Sequence, residues 1–115
     1  MTERHSASII TKRPTPILTY RDIPYNAALV FNAGVTKYEG KYVMAFRNDY
    51  GSYEEQRLDG TNIGIAFSDD GIHWQVRNKP WFAMKDEEIV RAYDPRLSVV
   101  DGQVYMCMAV DTRHG

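Results

Sequence analysis

Laid on itself with an offset of 62 residues, the sequence places Phe31-Asn32 on Tyr93-Asp94, Val35-Thr36 on Leu97-Ser98, Glu39-Gly40 on Asp101-Gly102, Met44 on Met106 and Asp49 on Asp111, without a gap. The same two-strand hairpin is therefore written twice. No other feature constrains the fold as much, because a recurring unit cannot bury its apolar face alone and must stack against its own copy. The first unit continues through two further strand-like segments. Four-stranded sheets recurring at a period somewhat above the usual ~40–50 residues point to an all-β chain of propeller blades with long inter-strand loops. The second unit reaches only Asp111-Thr112-Arg113-His114-Gly115. About one and a half blades are thus expected, too few to close a ring of about 4–8, and the chain reads as the N-terminal part of a propeller with unpaired terminal edges.

Local signals agree with that partition. Residues 1–16 are polar, include Pro14 and Pro16 and show no period, which predicts an extended arm; residues 17–115 form the propeller part, truncated at its C-terminus. Ala28 to Lys37 has strand composition, with Gly34 marking a close approach of backbones. Glu39-Gly40 is a two-residue hairpin signal, and Lys41 to Asn48 returns as a second strand. In that strand Tyr42, Met44, Phe46 and Asn48 face one way and Val43, Ala45, Arg47 and Asp49 the other. Both faces are apolar until Arg47, so other sheets should cover both, with Arg47 and Asp49 emerging at the strand's exit. Asn48 to Gly60 reads as a polar loop and Thr61 to Ser68 as a third strand. Ser68-Asp69-Asp70-Gly71-Ile72-His73-Trp74 reads as an Asp/Gly turn on which Trp74 packs. Gln75 to Pro80 closes a fourth strand, and Lys85 to Val90, within a charged connector, has the composition of one helical turn.

Candidate chemistry gathers at Arg91-Ala92-Tyr93-Asp94-Pro95-Arg96. Pro95 biases the preceding residue away from the helical region, which predicts extended backbone for Asp94 at the mouth of the strand Leu97 to Val100. A carboxylate there can act as a general acid, worth roughly 10²–10⁴ in rate. It can equally cap or turn the chain, as Asp-Pro pairs do. By the offset, Asn32 stands at the equivalent strand entrance, and Arg47 and Asp49 converge towards Asp111 on the central funnel.

Charge and cysteine use narrow the partners. Lys and Arg number 14 against 15 Asp and Glu, a net charge of −1. That balance leaves no electrostatic footprint for nucleic acid or an anionic membrane. The lone Cys107 lies in the apolar run Val104 to Val110 and is expected to be a buried small hydrophobe rather than a nucleophile. No CxxC, HExxH or EF-hand pattern calls for a metal, and no Gly-rich loop calls for a nucleotide. With no apolar leader and no membrane-length apolar run, a soluble, cytoplasmic setting is the default expectation.

Taken in order, Phe31-Asn32-Ala33-Gly34, Phe46-Arg47, Leu58-Asp59-Gly60-Thr61, Ser68-Asp69-Asp70-Gly71-Ile72-His73-Trp74, Tyr93-Asp94-Pro95-Arg96 and Thr112-Arg113-His114-Gly115 closely resemble glycoside hydrolase family 130, the β-mannoside phosphorylases. The resemblance runs from about Ile17 to Gly115. It implies a five-bladed β-propeller and inverting phosphorolysis of a β-mannosidic bond to α-mannose 1-phosphate and a shortened sugar. By the same resemblance Asp94 is the catalytic acid, relayed through a mannose hydroxyl; Asn32, Arg47 and Asp49 line the mannose subsite; Arg113 belongs to the phosphate site. No cofactor is implied beyond inorganic phosphate as co-substrate. The partner is a β-mannoside oligosaccharide, and phosphorylases of this type often assemble as homo-oligomers.

That inventory is chemically coherent. An inverting hydrolase needs a second carboxylate, about 6.5–9.5 Å from the first, to deprotonate water. Phosphate is already an anionic nucleophile and needs arginine forks to hold it in line. Two rivals remain: a β-mannoside hydrolase on the same scaffold, and a non-catalytic sugar-binding propeller in which Asp94 is structural.

Overall fold

The computed structural model describes residues 13–83 and 86–114. The predicted arm falls mostly on residues 1–12, outside the described residues; residues 13–16 are exposed and irregular. Apart from one 3₁₀ turn, Tyr20–Asp22, the regular elements are strands. β1 (Leu29–Tyr38), β2 (Lys41–Ser52), β3 (Arg57–Ser68) and β4 (Gln75–Val76) form an antiparallel sheet in sequence order. β5 (Ile89–Val100) and β6 (Gln103–Thr112) form a second, two-stranded sheet, and β5 packs against β1, β2 and β3. The chain is thus an arc of a β-propeller, one four-stranded blade followed by the first hairpin of the next.

The two hairpins repeat in detail. Both turns place two consecutive residues at positive φ, Glu39 at 52° and Gly40 at 80°, Asp101 at 50° and Gly102 at 76°. That is the twist-matched geometry two-residue hairpins favour. Even the irregularity recurs. Phe31 pairs with Arg47 and Gly34 with Ala45, so β1 carries one extra residue; Tyr93 pairs with Ala109 and Arg96 with Cys107, so β5 carries the same bulge.

Gly34 is where the sheets meet. A Cβ at Gly34 would lie 2.6 Å from the Pro95 carbonyl oxygen and 2.8 Å from Arg96 Cα. The close approach read from the sequence is therefore an approach of β1 to β5 across the seam between blades.

β2 is buried on both faces, as its composition predicts. Met44 and Phe46 join Ile23 and Ala66 in a core closed from outside by Leu18, Tyr25, Ala27, Trp74 and Val76. On the opposite face Val43 and Ala45 are buried. The Asp/Gly turn is structural: Asp70 Oδ1 accepts the Ile72 and His73 amides, both at 2.8 Å, and Trp74 Nε1 donates to the Gly71 carbonyl at 3.2 Å. The His73 ring, whose Nδ1 lies 2.6 Å from Asp70 Oδ2, and then the His73 and Ile72 amides hold the Asp70 carboxyl well below the usual range.

Several expectations are corrected. The predicted loop, Asn48 to Gly60, is a paired ribbon: β2 continues to Ser52 and β3 begins at Arg57, with only residues 53–56 as the turn. Its side chains from Tyr53 to Asp59 are exposed, which is why they lack an apolar alternation; backbone pairing alone extends the strands. Arg47 and Asp49 consequently sit inside β2 rather than at its exit. The fourth strand spans two residues instead of six: the Arg77 amide still donates to the Ile65 carbonyl at 3.1 Å, but Asn78 to Pro80 leave the sheet. Residues 86–88 form a bend held by Asp86 Oδ1, which accepts the Glu88 and Ile89 amides at 2.8 Å, and not a helical turn; Lys85 lies outside the described residues. Cys107 is exposed, not buried. β6 pairs only with β5 among the described residues, and most of its apolar run is exposed, Met106 and Met108 being half-buried.

Candidate active site

The bulges decide where the polar side chains go. Asn32 has φ of 50° and Asp94 φ of 54°, so the extended backbone expected for Asp94 is overturned. Pro95 disfavours the right-handed helical region without forbidding the left-handed one, which Asp94 takes up within the bulge. Asn and Asp are the residues, after glycine, that enter this region most readily. Such local strain, of order ~1–3 kcal/mol, clusters at functional sites, and a bulge re-aims the side chain it carries.

Both bulges aim at the seam. Asn32 Nδ2 donates to Asp94 Oδ1 at 2.9 Å, so the two positions related by the repeat bond directly to each other. Arg47 Nη1 reaches the same oxygen at 3.5 Å. Among the described residues no hydrogen bond falls on Asp94 Oδ2, and the side chain is 31% exposed.

Arg47 is the hub. Its Nε donates to Asp49 Oδ1 at 3.0 Å and its Nη2 to Asp49 Oδ2 at 3.2 Å, a bidentate fork. Thr61 Oγ1 donates to Asp49 Oδ1 at 2.8 Å, and Asp49 is only 4% exposed. The guanidinium also packs on two aromatic rings, its Cζ 4.6 Å from the centroid of Phe31 and 4.9 Å from that of Tyr93. These rings are themselves repeat equivalents. Burial pushes the Arg47 pKa down, but Asp49 and then Asp94 push it up further, and the net direction is upward. Arg47 is a permanent cation held in one plane.

A second chain of bonds backs the first. Tyr93 donates its hydroxyl to Asp111 Oδ1 at 2.8 Å, and Arg91 Nε donates to Asp111 Oδ2 at 2.6 Å. Arg91 first, then the Tyr93 hydroxyl, hold the Asp111 carboxyl below the usual range, while the same bond pushes the Tyr93 phenol up. Arg91, Asp49 and Thr61 also edge an open groove of about 330 Å³ that includes Tyr50, Asp59 and Val90. Asp94 and Asn32 stand outside that groove, on the seam.

Four sequence candidates, Asn32, Arg47, Asp49 and Asp94, therefore come together. Arg113 does not join them: it is exposed just past β6, its backbone amide donating to the Glu88 carbonyl at 3.0 Å. The residues that sequence reasoning missed are Phe31, Tyr93, Thr61 and Arg91, which fix the polar groups rather than carry charge to the seam. One signal could have found the first two, since the repeat places an aromatic before both Asn32 and Asp94.

A four-stranded sheet and the first hairpin of its repeat, meeting at a seam that gathers a carboxylate, an amide and a planar cation, make this part of a β-propeller with a polar site where its blades meet. The family model for beta-1,4-mannooligosaccharide phosphorylase matches residues 1–115, and the chain belongs to glycoside hydrolase family 130, a family of mannoside-active hydrolases and phosphorylases. A glycosyl hydrolase from Bacteroides ovatus shares the fold with a TM-score of 0.62 and 30% identity, over 77% of this chain and 26% of its own. A protein from Parabacteroides distasonis assigned to the glycoside hydrolases gives 0.58 and 27%, over 72% and 25%. One from Bacteroides thetaiotaomicron assigned to the glycosidases gives 0.55 over 77% and 30%; at 24% identity it speaks for the fold alone. The chain thus spans between 25% and 30% of the length of these structures. No curated protein sequence matches it.

Proposed function

We propose that these residues supply the acid and part of the mannose subsite of a β-mannoside phosphorylase, which cleaves a β-mannoside with inorganic phosphate to give α-mannose 1-phosphate. Asp94 is the general acid. Its Oδ1 accepts from Asn32 and Arg47, leaving Oδ2 to carry the proton towards a mannose hydroxyl and through it to the glycosidic oxygen. Asn32 and Arg47 offer their remaining N–H groups to mannose, and Asp49 serves that subsite from behind by holding Arg47. Arg113 contributes to the phosphate site, completed by parts of the propeller beyond this hairpin.

The family model, that of beta-1,4-mannooligosaccharide phosphorylase, supports phosphorolysis, and the seam agrees with it. Among the described residues, the two carboxylates in the network around Arg47 and Tyr93 are both committed, Asp49 to Arg47 and Thr61, Asp111 to Tyr93 and Arg91. Neither has an oxygen free to deprotonate water, which inversion by hydrolysis requires. An anionic nucleophile needs no such base. Hydrolysis is the second reading, favoured by the glycosyl hydrolase from Bacteroides ovatus that shares the fold.

The test is phosphate release from α-mannose 1-phosphate in the presence of glucose, mannose or N-acetylglucosamine, using the protein that carries this chain and its Asp94→Asn variant. Release by the parent, reduced roughly 10²–10⁴-fold in the variant, is expected. A parent that releases no phosphate with any acceptor, yet frees mannose from mannobiose in phosphate-free buffer, would establish hydrolysis instead.

A further inference from the structure

The Arg47 guanidinium has five N–H donors in a rigid plane, and the direction of that plane determines which of them face the seam. Hydrogen bonds to Asp49 fix two donors, but a fork can still rock about the line joining it to its carboxylate. What limits rocking is the packing of the fork on its neighbours. Phe31 and Tyr93 provide two such surfaces, their ring centroids 4.6 and 4.9 Å from Arg47 Cζ.

The two surfaces are held differently. Phe31 has no polar handle. Tyr93 has one, and it is anchored: Asp111 Oδ1 accepts the phenol at 2.8 Å while Arg91 fixes the other oxygen of Asp111 at 2.6 Å. Among the described residues Asp111 makes no hydrogen bond to Asp94 or Asn32; its oxygens are taken by Tyr93 and Arg91. The bond is charge-assisted, the strong kind, and a low-lying Asp111 carboxyl with a raised Tyr93 phenol agrees with it.

We infer that Asp111 is a positioning residue: by pinning the Tyr93 hydroxyl it fixes the ring that clamps Arg47, and so sets the direction from which Arg47 meets Asp94 Oδ1. The role rests on the catalytic assignment of Asp94 made above. Without the pin, Tyr93 gains freedom about its side-chain torsions, Arg47 rocks on Asp49, and the 3.5 Å contact to Asp94 is lost for much of the time. Small displacements of this kind cost rate through lost orientation, not through lost binding.

The test is a double-mutant cycle in whichever reaction the parent performs, phosphorolysis or mannobiose hydrolysis, together with an NMR readout independent of turnover. Asp111→Leu and Tyr93→Phe are each expected to lower kcat/KM roughly tenfold, mainly in kcat, and the double variant to lose no more than either alone. Asp111→Asn, whose carbonyl still accepts the phenol, should recover most of the rate. In the parent, the Arg47 Nε–H resonance should be shifted by the shielding of both ring faces; in Asp111→Leu and Tyr93→Phe it should move to the position of an exposed arginine. An Arg47 resonance that stays put in Asp111→Leu overturns the role whatever the kinetics show. Additive losses confined to KM overturn it too, since they would mean that Tyr93 and Asp111 act on the sugar separately. A parent with neither reaction removes the assignment of Asp94, and the resonance then decides the positioning claim by itself.

Discussion

The β1–β2 and β5–β6 hairpins have the same turn, the same bulge and the same register, yet opposite burial. Ala45 and Phe46 are 0% exposed, while their counterparts are an exposed Cys107 and a half-buried Met108; Val43 is 7% exposed and its counterpart Tyr105 is 51%. The difference separates two kinds of information. Turn, bulge and register follow from residues within the hairpin. Burial follows from what lies beside it: β2 has β3 along one edge and residues 18–27 over one face, and β6 has neither among the described residues.

Truncation in the two hairpins is the strongest way to break the comparison. Phe46→Ala should cost about 3–5 kcal/mol, because it empties a filled core. The equivalent Met108→Ala should cost about 1 kcal/mol or less, as surface changes do. Urea unfolding measures both, and equal costs would show that β6 is covered in solution.

The seam gives a middle-sized effect. Gly34→Ala forces a Cβ onto the Pro95 carbonyl and should destabilise by about 1–3 kcal/mol through overpacking. Its signature in hydrogen exchange should be faster opening of β5 and β1 together; opening of β1 alone would place the clash within the first sheet.

The turns sharpen the comparison from the other side. Gly40→Ala and Gly102→Ala meet no atom within 4 Å, and both residues lie at positive φ, so each should cost only the backbone strain, about 1 kcal/mol, and by the same amount. Matched shifts in thermal midpoint are expected. A larger cost at Gly40 would mean that burial reaches into the turn.

The same division explains how much of the molecule was legible beforehand. Glu39-Gly40 and Asp101-Gly102 announce their turns, and the offset announces the repeat, because both depend on neighbours in sequence. The left-handed bulge at Asp94 was not legible: Asp-Pro restricts the backbone without choosing the sign of φ, and pairing with β6 makes the choice. The ribbon of residues 48–60 was hidden because its exposed side chains lack an apolar alternation. At the site, the charged members were legible by residue type, whereas the ring clamp was not, since an aromatic pair is as readily core as clamp until its partner is placed. Cys107 was misjudged for the related reason that an apolar run states what a strand can bury, not whether anything is there to bury it.

The bond between Asn32 and Asp94 joins positions 62 residues apart. Drawing together the ends of a loop that long carries a chain-entropy cost of ~4 kcal/mol, and non-local pairing of this sort forms late in folding. Each hairpin can acquire its turn and bulge early, from local instructions. Asp94, the Asn32 amide and the Arg47 guanidinium become one constellation only when the second hairpin docks on the first blade, so a half-folded molecule holds these residues without their arrangement.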